Sequence, residues 1–265
     1  NSSVYKSASG NWESTYTTYN ASSADYVSLS AANIFANRQV INGELQAFCF
    51  QGGSDSSNTG IYSSILGGYF NDITGIGSAI GAGYNNTNTG NYSFIGAGLG
   101  NCVTNDCAFV GSGQQNQATG AHSVVGGGQT NIACSNYSTV GGGRCNTTGS
   151  GFRYYNTVGG GQCNTAFGIY STVGGGQCNT ANGSNSTIAG GFSSCATGGC
   201  SFIGGGACNC VTHAYSSAIG VNVHSVSGSM LHANRLWLSA GALPTADPGV
   251  VGVVWNSSGT LKISV

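Results

Sequence analysis

Charge is scarce in this sequence: six Lys and Arg and seven Asp and Glu among 265 residues leave a net charge of −1. So few cations form no basic stripe, which argues against nucleic acid or an anionic membrane surface as a partner. No apolar run of about eighteen residues occurs, so no membrane insertion is expected. Proline is confined to Pro244 and Pro248, both in the last stretch of the chain. The chain opens on Asn1 with neither Met nor a secretion signal, as expected of a processed chain or a fragment.

Groups able to do chemistry are equally thin. The acids (Glu13, Asp25, Glu44, Asp55, Asp72, Asp106, Asp247) are scattered, and His122, His213, His224 and His232 have no helical partner or carboxylate at useful spacing. The glycine triplets lack the Gly-Lys-Ser/Thr ending of a phosphate loop. Calcium-binding β-rolls need an Asp in every repeat, and that class of position is empty here. We therefore expect no enzyme: no catalytic residues, no cofactor and no resident metal.

What the chain does have is glycine, 47 residues of it, arranged in a repeat. "YNTVGGGQCNTAFGI" (155–169) is followed at once by "YSTVGGGQCNTANGS" (170–184). The branched residue before the glycines marks the phase: Ile65, Ile80, Ile95, Val110, Val125, Val140, Val158, Val173, Ile188, Ile203 and Ile219. Steps are of fifteen residues, except one of eighteen through "TTGSGFRYY" and a last one of sixteen. Three residues past the first ten anchors lies a glycine: Gly68, Gly83, Gly98, Gly113, Gly128, Gly143, Gly161, Gly176, Gly191 and Gly206. Six past them lies an asparagine in nine coils: Asn71, Asn86, Asn101, Asn116, Asn131, Asn146, Asn164, Asn179 and Asn209, with Ser194 the exception.

Helical repeats need roughly 33–47 residues, so this period is too short for them. It suits one coil of a β-solenoid, with a perimeter on the order of 50 Å and coils stacked about 4.8 Å apart. The anchors and their Thr or Phe neighbours favour strands. The conserved-phase glycines form the turn, because they enter positive φ without strain. A second apolar strip (Ile73, Val103, Ala118, Ala133, Ala166, Ala181, Ala196, Val211) gives each coil two inward positions, and a second bend falls near Gly75, Gly90, Gly120, Gly168, Gly183 and Gly198. The asparagines are predicted to stack as a ladder along the axis. Tyr62, Tyr92, Tyr137, Tyr155, Tyr170 and Tyr215 form a further row, exposed or buried. Two inward side chains per coil, many of them Ala, offset little of the ordering entropy. Association into a closed homo-oligomer is the expected remedy.

The eleven cysteines follow the repeat. Cys145, Cys163, Cys178 and Cys208 lie five past the anchor and Cys102, Cys195 and Cys210 seven past it; Cys107 and Cys200 lie three before the next. Cys102 with Cys107, and Cys195 with Cys200, share one spacing and are candidate local disulfides; the alternative is small thiols packed in the core. No pair shows zinc-site spacing, although a stacked Cys row repeated by symmetry could bind soft metal adventitiously.

Four segments follow. Residues 1–32 form an N-terminal stalk or linker, in which Tyr5, Trp12, Tyr19 and Tyr26 at heptad spacing outline a short coiled coil, against an irregular or extended linker. Residues 33–57 are an adaptor or N-terminal cap, 58–226 the solenoid of about eleven repeats, and 227–265 a C-terminal cap. In that cap the alternation Val251, Val253, Trp255, then Leu261, Ile263, Val265 around "NSSG" predicts a β-hairpin. The fold class is thus all-β: a solenoid or β-roll, intertwined or side by side in a homotrimer, with a stalk before it and a β cap after it.

The units "GSAIGAGYNN" (77–86), "YSFIGAGLGN" (92–101) and "YSTVGGGQCN" resemble the head repeats of trimeric autotransporter adhesins, although that family usually repeats every fourteen residues. "YSTVGGGxxNTAxG" and the tail "LPTADPGVVGVVWNSSGTLKIS" are similar to segments of bacteriophage tail-fibre-like structural proteins. The resemblance covers about residues 60–265 and implies a trimeric extracellular fibre without catalytic residues. It implies other virion or fibre proteins and a host-surface glycan or protein receptor as partners, and the virion tail fibre or an extracellular surface as location. Phe152, Arg153 and Tyr154, in the inserted loop, suit sugar stacking and hydrogen bonding and are the candidate receptor contact. A cellular adhesin or surface filament is the alternative owner. An ice-binding solenoid is a third reading, weakened because the Thr row at Thr139, Thr157, Thr172 and Thr187 gives way mostly to Phe and Ala elsewhere.

Overall fold

The computed structural model describes residues 3–6, 13–16, 49–149, 154–225, 231–233, 254–257 and 260–263. The chain divides into two units, Asn1–Gln46 and Ala47–Val265. In the first, Ser3–Lys6 and Glu13–Tyr16 pair as antiparallel strands, with Ser3 opposite Tyr16. These strands lie within the stretch where the heptad outlines a coiled coil. The Ser and Thr that fill its heptad are poor helix formers, and Gly10 falls between the strands. Residues 17–32 and the adaptor up to 48 lie outside the described residues.

The second unit is an all-β parallel solenoid with no helix among the described residues. Each coil contributes two strands, mostly of two residues, and like strands stack into parallel sheets of 13 and 11 strands. Partners lie one repeat apart, as in Phe109–Val110 on Val124–Val125 and Gln117–Ala118 on Ile132–Ala133. A third column of single bridges runs from Ser54 to Ala207 through Tyr69, Tyr84, Leu99 and their successors. Each coil is therefore hydrogen-bonded to the next along three lines. The ladder begins with Cys49–Gln51 and reaches Leu231–Ala233, so it extends beyond the 58–226 bounds in both directions. Near the C-terminus Val254–Ser257 pairs antiparallel with Thr260–Ile263.

A two-residue strand places one side chain out and the next in. The anchors and the strip eight residues on are fully buried, from Ile65 and Ile73 to Ile203 and Val211. The inventory of two inward positions was incomplete. Two polar rows are buried with them: the serines two before the anchor and the asparagines six after it. Asn88 and Thr148 fill the second apolar strip in two coils and are buried as well.

At the top of the stack the phase is corrected. Ala218, not Ile219, pairs with Ile203 and is buried, while Ile219 is half exposed. A register shift between Ile203 and Gly205 accommodates the change. The last step is thus fifteen residues, like every other but the one of eighteen, and Tyr215 falls in line with the other tyrosines. Hydrophobicity misled the sequence reading here, because the larger of two adjacent apolar residues points outward.

All ten turn glycines have φ between +88° and +115°. At Gly113 a Cβ would also lie 2.1 Å from the carbonyl oxygen of Gly128 one coil on, so neither the conformation nor the space admits a side chain. The eighteen-residue step leaves the stack undisturbed. Thr139 pairs with Thr157 on one sheet and Thr147 with Thr165 on the other. The three extra residues are absorbed between Gly149 and Tyr154.

Candidate functional site

The ladder of asparagines is interior and works mainly on the backbone. In Asn131 the side-chain Oδ1 accepts the N–H of Asn146 at 2.9 Å. Its Nδ2 donates to Gly127 O in its own turn at 2.9 Å and to Gly143 O in the next at 2.8 Å. All nine asparagines donate to the carbonyl of the neighbouring coil's turn at 2.8–3.0 Å. Direct amide–amide bonds form at three steps: Asn86 to Asn71, Asn101 to Asn86 and Asn131 to Asn116, at 3.0, 3.1 and 3.2 Å. The turns leave backbone donors and acceptors out of the sheet ladders, and one buried amide per coil satisfies them. These residues hold the scaffold and present nothing to a ligand.

Two further rows shape the surface. At the fifth position past the anchor, and again three before the next anchor, non-glycine residues adopt φ of 53–62° in nearly every coil. Such a left-handed residue costs roughly 1–2 kcal/mol unless it is Gly or Asn. Both rows are pinned by backbone bonds to the preceding coil. Tyr137 N donates to Ala121 O at 2.9 Å, and Cys163 N to Arg144 O at 2.9 Å. Sequence reasoning found these rows but not their conformation; the cue was Asn85, Gly100, Asn185, Asn222 and Gly77 in the same phases.

The row three before the anchor is the tyrosine row, and it faces solvent. Tyr137, Tyr155 and Tyr170 are exposed by 48%, 47% and 54%. With His122 they form a continuous stack of four rings, at centroid distances of 4.8, 5.1 and 5.0 Å and interplanar angles of 4°, 13° and 1°. The left-handed backbone turns each side chain outward at the same angle, and the coil spacing matches offset stacking of aromatic rings. Because ring faces are spent on one another, the stack offers solvent a line of ring edges and three phenol hydroxyls. Tyr154 stands beside it, half-buried, its ring 6.3 Å from that of Tyr155 and tilted by 57°. Its carbonyl accepts the Tyr170 N–H at 3.1 Å, which ties the end of the inserted segment to the stack. Of the candidate contact residues, Tyr154 is thus placed at the aromatic row, whereas Phe152 and Arg153 lie outside the described residues.

The disulfide pairs are not formed. Cys102, Cys107, Cys195 and Cys200 are free thiols, as are Cys134, Cys145, Cys163, Cys178, Cys208 and Cys210. Cys102 lies on the outer side of a sheet strand and Cys107 on the tyrosine corner, so five residues carry the chain around the bend rather than back on itself. Spatial neighbours are one coil apart: Cys195 lies in register with Cys210, not with Cys200. The core-thiol alternative fails too, since each of the ten is half-buried or exposed. Burial pushes the Cys102 thiol up, and burial together with Cys210 does the same to Cys195.

Apolar side chains outside the core gather over the first coils. Leu66, Tyr69, Phe70, Tyr84 and Leu99 are exposed by 41–68%, and Phe70 meets Tyr84 edge-on at 5.5 Å. Among the described residues no group of three or more His, Cys, Asp or Glu converges on a point that could hold a metal ion. Among the same described residues no helix is long and apolar enough to cross a membrane. The chain matches no protein-family model and no curated protein sequence.

Proposed function

We propose that this protein is a non-enzymatic fibre component, the shaft or head of a bacteriophage tail fibre or similar extracellular adhesin, which attaches to a glycan or protein on a host surface. The observation that carries this reading is the aromatic stack. Four rings stand in a solvent-facing line on a corner whose backbone is fixed by hydrogen bonds, with Tyr154 alongside. Rigid presentation of Tyr lowers the entropy lost on binding. A line of phenol hydroxyls about 5 Å apart suits an extended polyhydroxylated chain. The scarcity of charge points the same way, toward contact through ring edges and hydrogen bonds rather than electrostatic steering.

We place the fibre on the virion or another extracellular surface, with further virion or fibre proteins at its ends. Sister copies would sit alongside in a homotrimer. The exposed Leu66, Tyr69, Phe70, Tyr84 and Leu99 support that association, since a patch of this kind is costly to leave in water. Light scattering coupled to size exclusion tests it: a mass of three chains is expected, falling to one on joint replacement of Leu66 and Tyr69 by Ser. Attachment is tested separately, by binding of labelled protein to host cells or a glycan array. Joint replacement of Tyr137, Tyr155 and Tyr170 by Ser, which Ser193 shows to be compatible with a left-handed corner, is expected to lower binding at least tenfold. Unchanged binding removes the aromatic row as the contact.

A further inference from the structure

We propose that the corner row Cys145, Cys163 and Cys178 binds soft monovalent metal ions of the copper(I) and silver(I) class, each held as a linear thiolate–metal–thiolate bridge between successive coils. The row occupies the left-handed position five past the anchor, with φ of 55°, 55° and 57°. Asn and Gly take that conformation at least cost, and the same row uses Asn85, Gly100 and Asn222 elsewhere. A thiol does nothing for such a backbone. Three consecutive coils nevertheless place one there, so the turn does not explain the sulfur.

The backbone holds the row in place. Cys145 N donates to Gln129 O, Cys163 N to Arg144 O and Cys178 N to Gln162 O, each at 2.9 Å. Cys163 and Cys178 are exposed and Cys145 is half-buried, so an ion can reach them. The sulfurs sense one another. The Cys163 thiol is pushed up first by desolvation, then by Cys145 and Cys178 beside it.

Spacing selects the chemistry. Rings stacked on the other left-handed corner give an axial repeat of 4.8–5.1 Å. A disulfide draws its Cβ atoms to about 3.8 Å, roughly 1 Å less than stacked side chains allow. Zinc needs four ligands around one point, and no such convergence exists among the described residues. Two metal–thiolate bonds of about 2.3 Å laid end to end span about 4.6 Å, which fits. Thiolate softness favours copper(I) over harder ions. The first bridge forms as two S–H groups release their protons and the metal ion takes their place; a second, sharing the Cys163 sulfur, releases one proton more, and neither changes an oxidation state.

The chain contains its own controls. Cys208 stands in the same row but between Ser193 and Asn222, with no sulfur one coil away. Cys195 and Cys210 are adjacent on a sheet face and are first replaced by Ser, which leaves the corner row as the adjacent thiols under test. Fully reduced C195S/C210S protein is titrated with silver(I) under argon against a competing thiol, and bound metal is counted by native mass spectrometry. At least one silver ion per chain is expected. Adding C163S, a replacement already present at position 193 of the row, should weaken silver binding at least 100-fold with the circular dichroism unchanged, whereas adding C208S should leave it intact. Absence of stoichiometric silver uptake, or uptake that survives C163S, overturns the proposal.

Discussion

Buried Asn131 lies within hydrogen-bond distance of four partners: its two Nδ2–H groups face three acceptors, so one is shared, and its Oδ1 accepts one N–H. Asn131→Ala would strand the Asn146 N–H and the Gly127 carbonyl. Urea denaturation is expected to show a loss of about 2–4 kcal/mol, the cost of two buried unsatisfied groups. Ser194 is the converse case. It accepts the Asn209 N–H at 3.3 Å but reaches neither turn carbonyl that an amide reaches in the other coils. Ser194→Asn should therefore stabilise the protein by about 1 kcal/mol. The serine row carries a second contrast. The buried hydroxyls of Ser123, Ser186 and Ser201 find no partner, and Ala108 already fills the same position in another coil. Ser186→Ala is expected to hold or raise the melting temperature. Ser138→Ala, which loses a 2.6 Å bond to Ser135 O and a 3.0 Å bond from Thr148, should lower it by several degrees.

Among elements, the inserted segment is the informative one, because the strands on either side keep register across it. Deleting Ser150, Phe152 and Arg153 restores a fifteen-residue coil and leaves Gly151 for the bend, where Gly168 of the next coil admits no Cβ. The shortened protein should fold with an unchanged circular dichroism spectrum and a melting temperature equal to or above that of the parent. Strand and turn were legible in the sequence, because anchor, glycine and asparagine each recur at a fixed offset and a repeat of parallel coils preserves offsets. Facing was less so. The left-handed corners decide that the tyrosines and cysteines point out, and Tyr and Cys have no propensity for that conformation to betray it. The N-terminal heptad is a weaker signal for a related reason: a spacing of seven constrains a helix only when the filling residues favour one. Ser3–Lys6 and Glu13–Tyr16 are filled with residues that a strand accepts as readily.

At the scale of the whole molecule, a chain with 5% charged residues has little electrostatic leverage on its own stability. The half-buried thiols of Cys102 and Cys195 have folded pKa values raised above their ordinary 9.0, which fixes the sign. The neutral thiol suits the folded state. The associated stability is complete below that value and is lost as pH rises through the higher folded pKa. Melting temperature should thus be nearly level from about pH 5 to 8 and decline above about 9, and the decline should lessen in a C102S/C195S variant. The in-register stacking of coils has one more consequence, for inheritance. Duplicating forty-five nucleotides in frame adds one more fifteen-residue rung and lengthens the rod by about 4.8 Å, while every other residue keeps the neighbours it had. Reach then becomes a trait that recombination between near-identical gene segments can count up or down, one step at a time, and "YNTVGGGQCNTAFGI" beside "YSTVGGGQCNTANGS" has the form that such a step leaves behind.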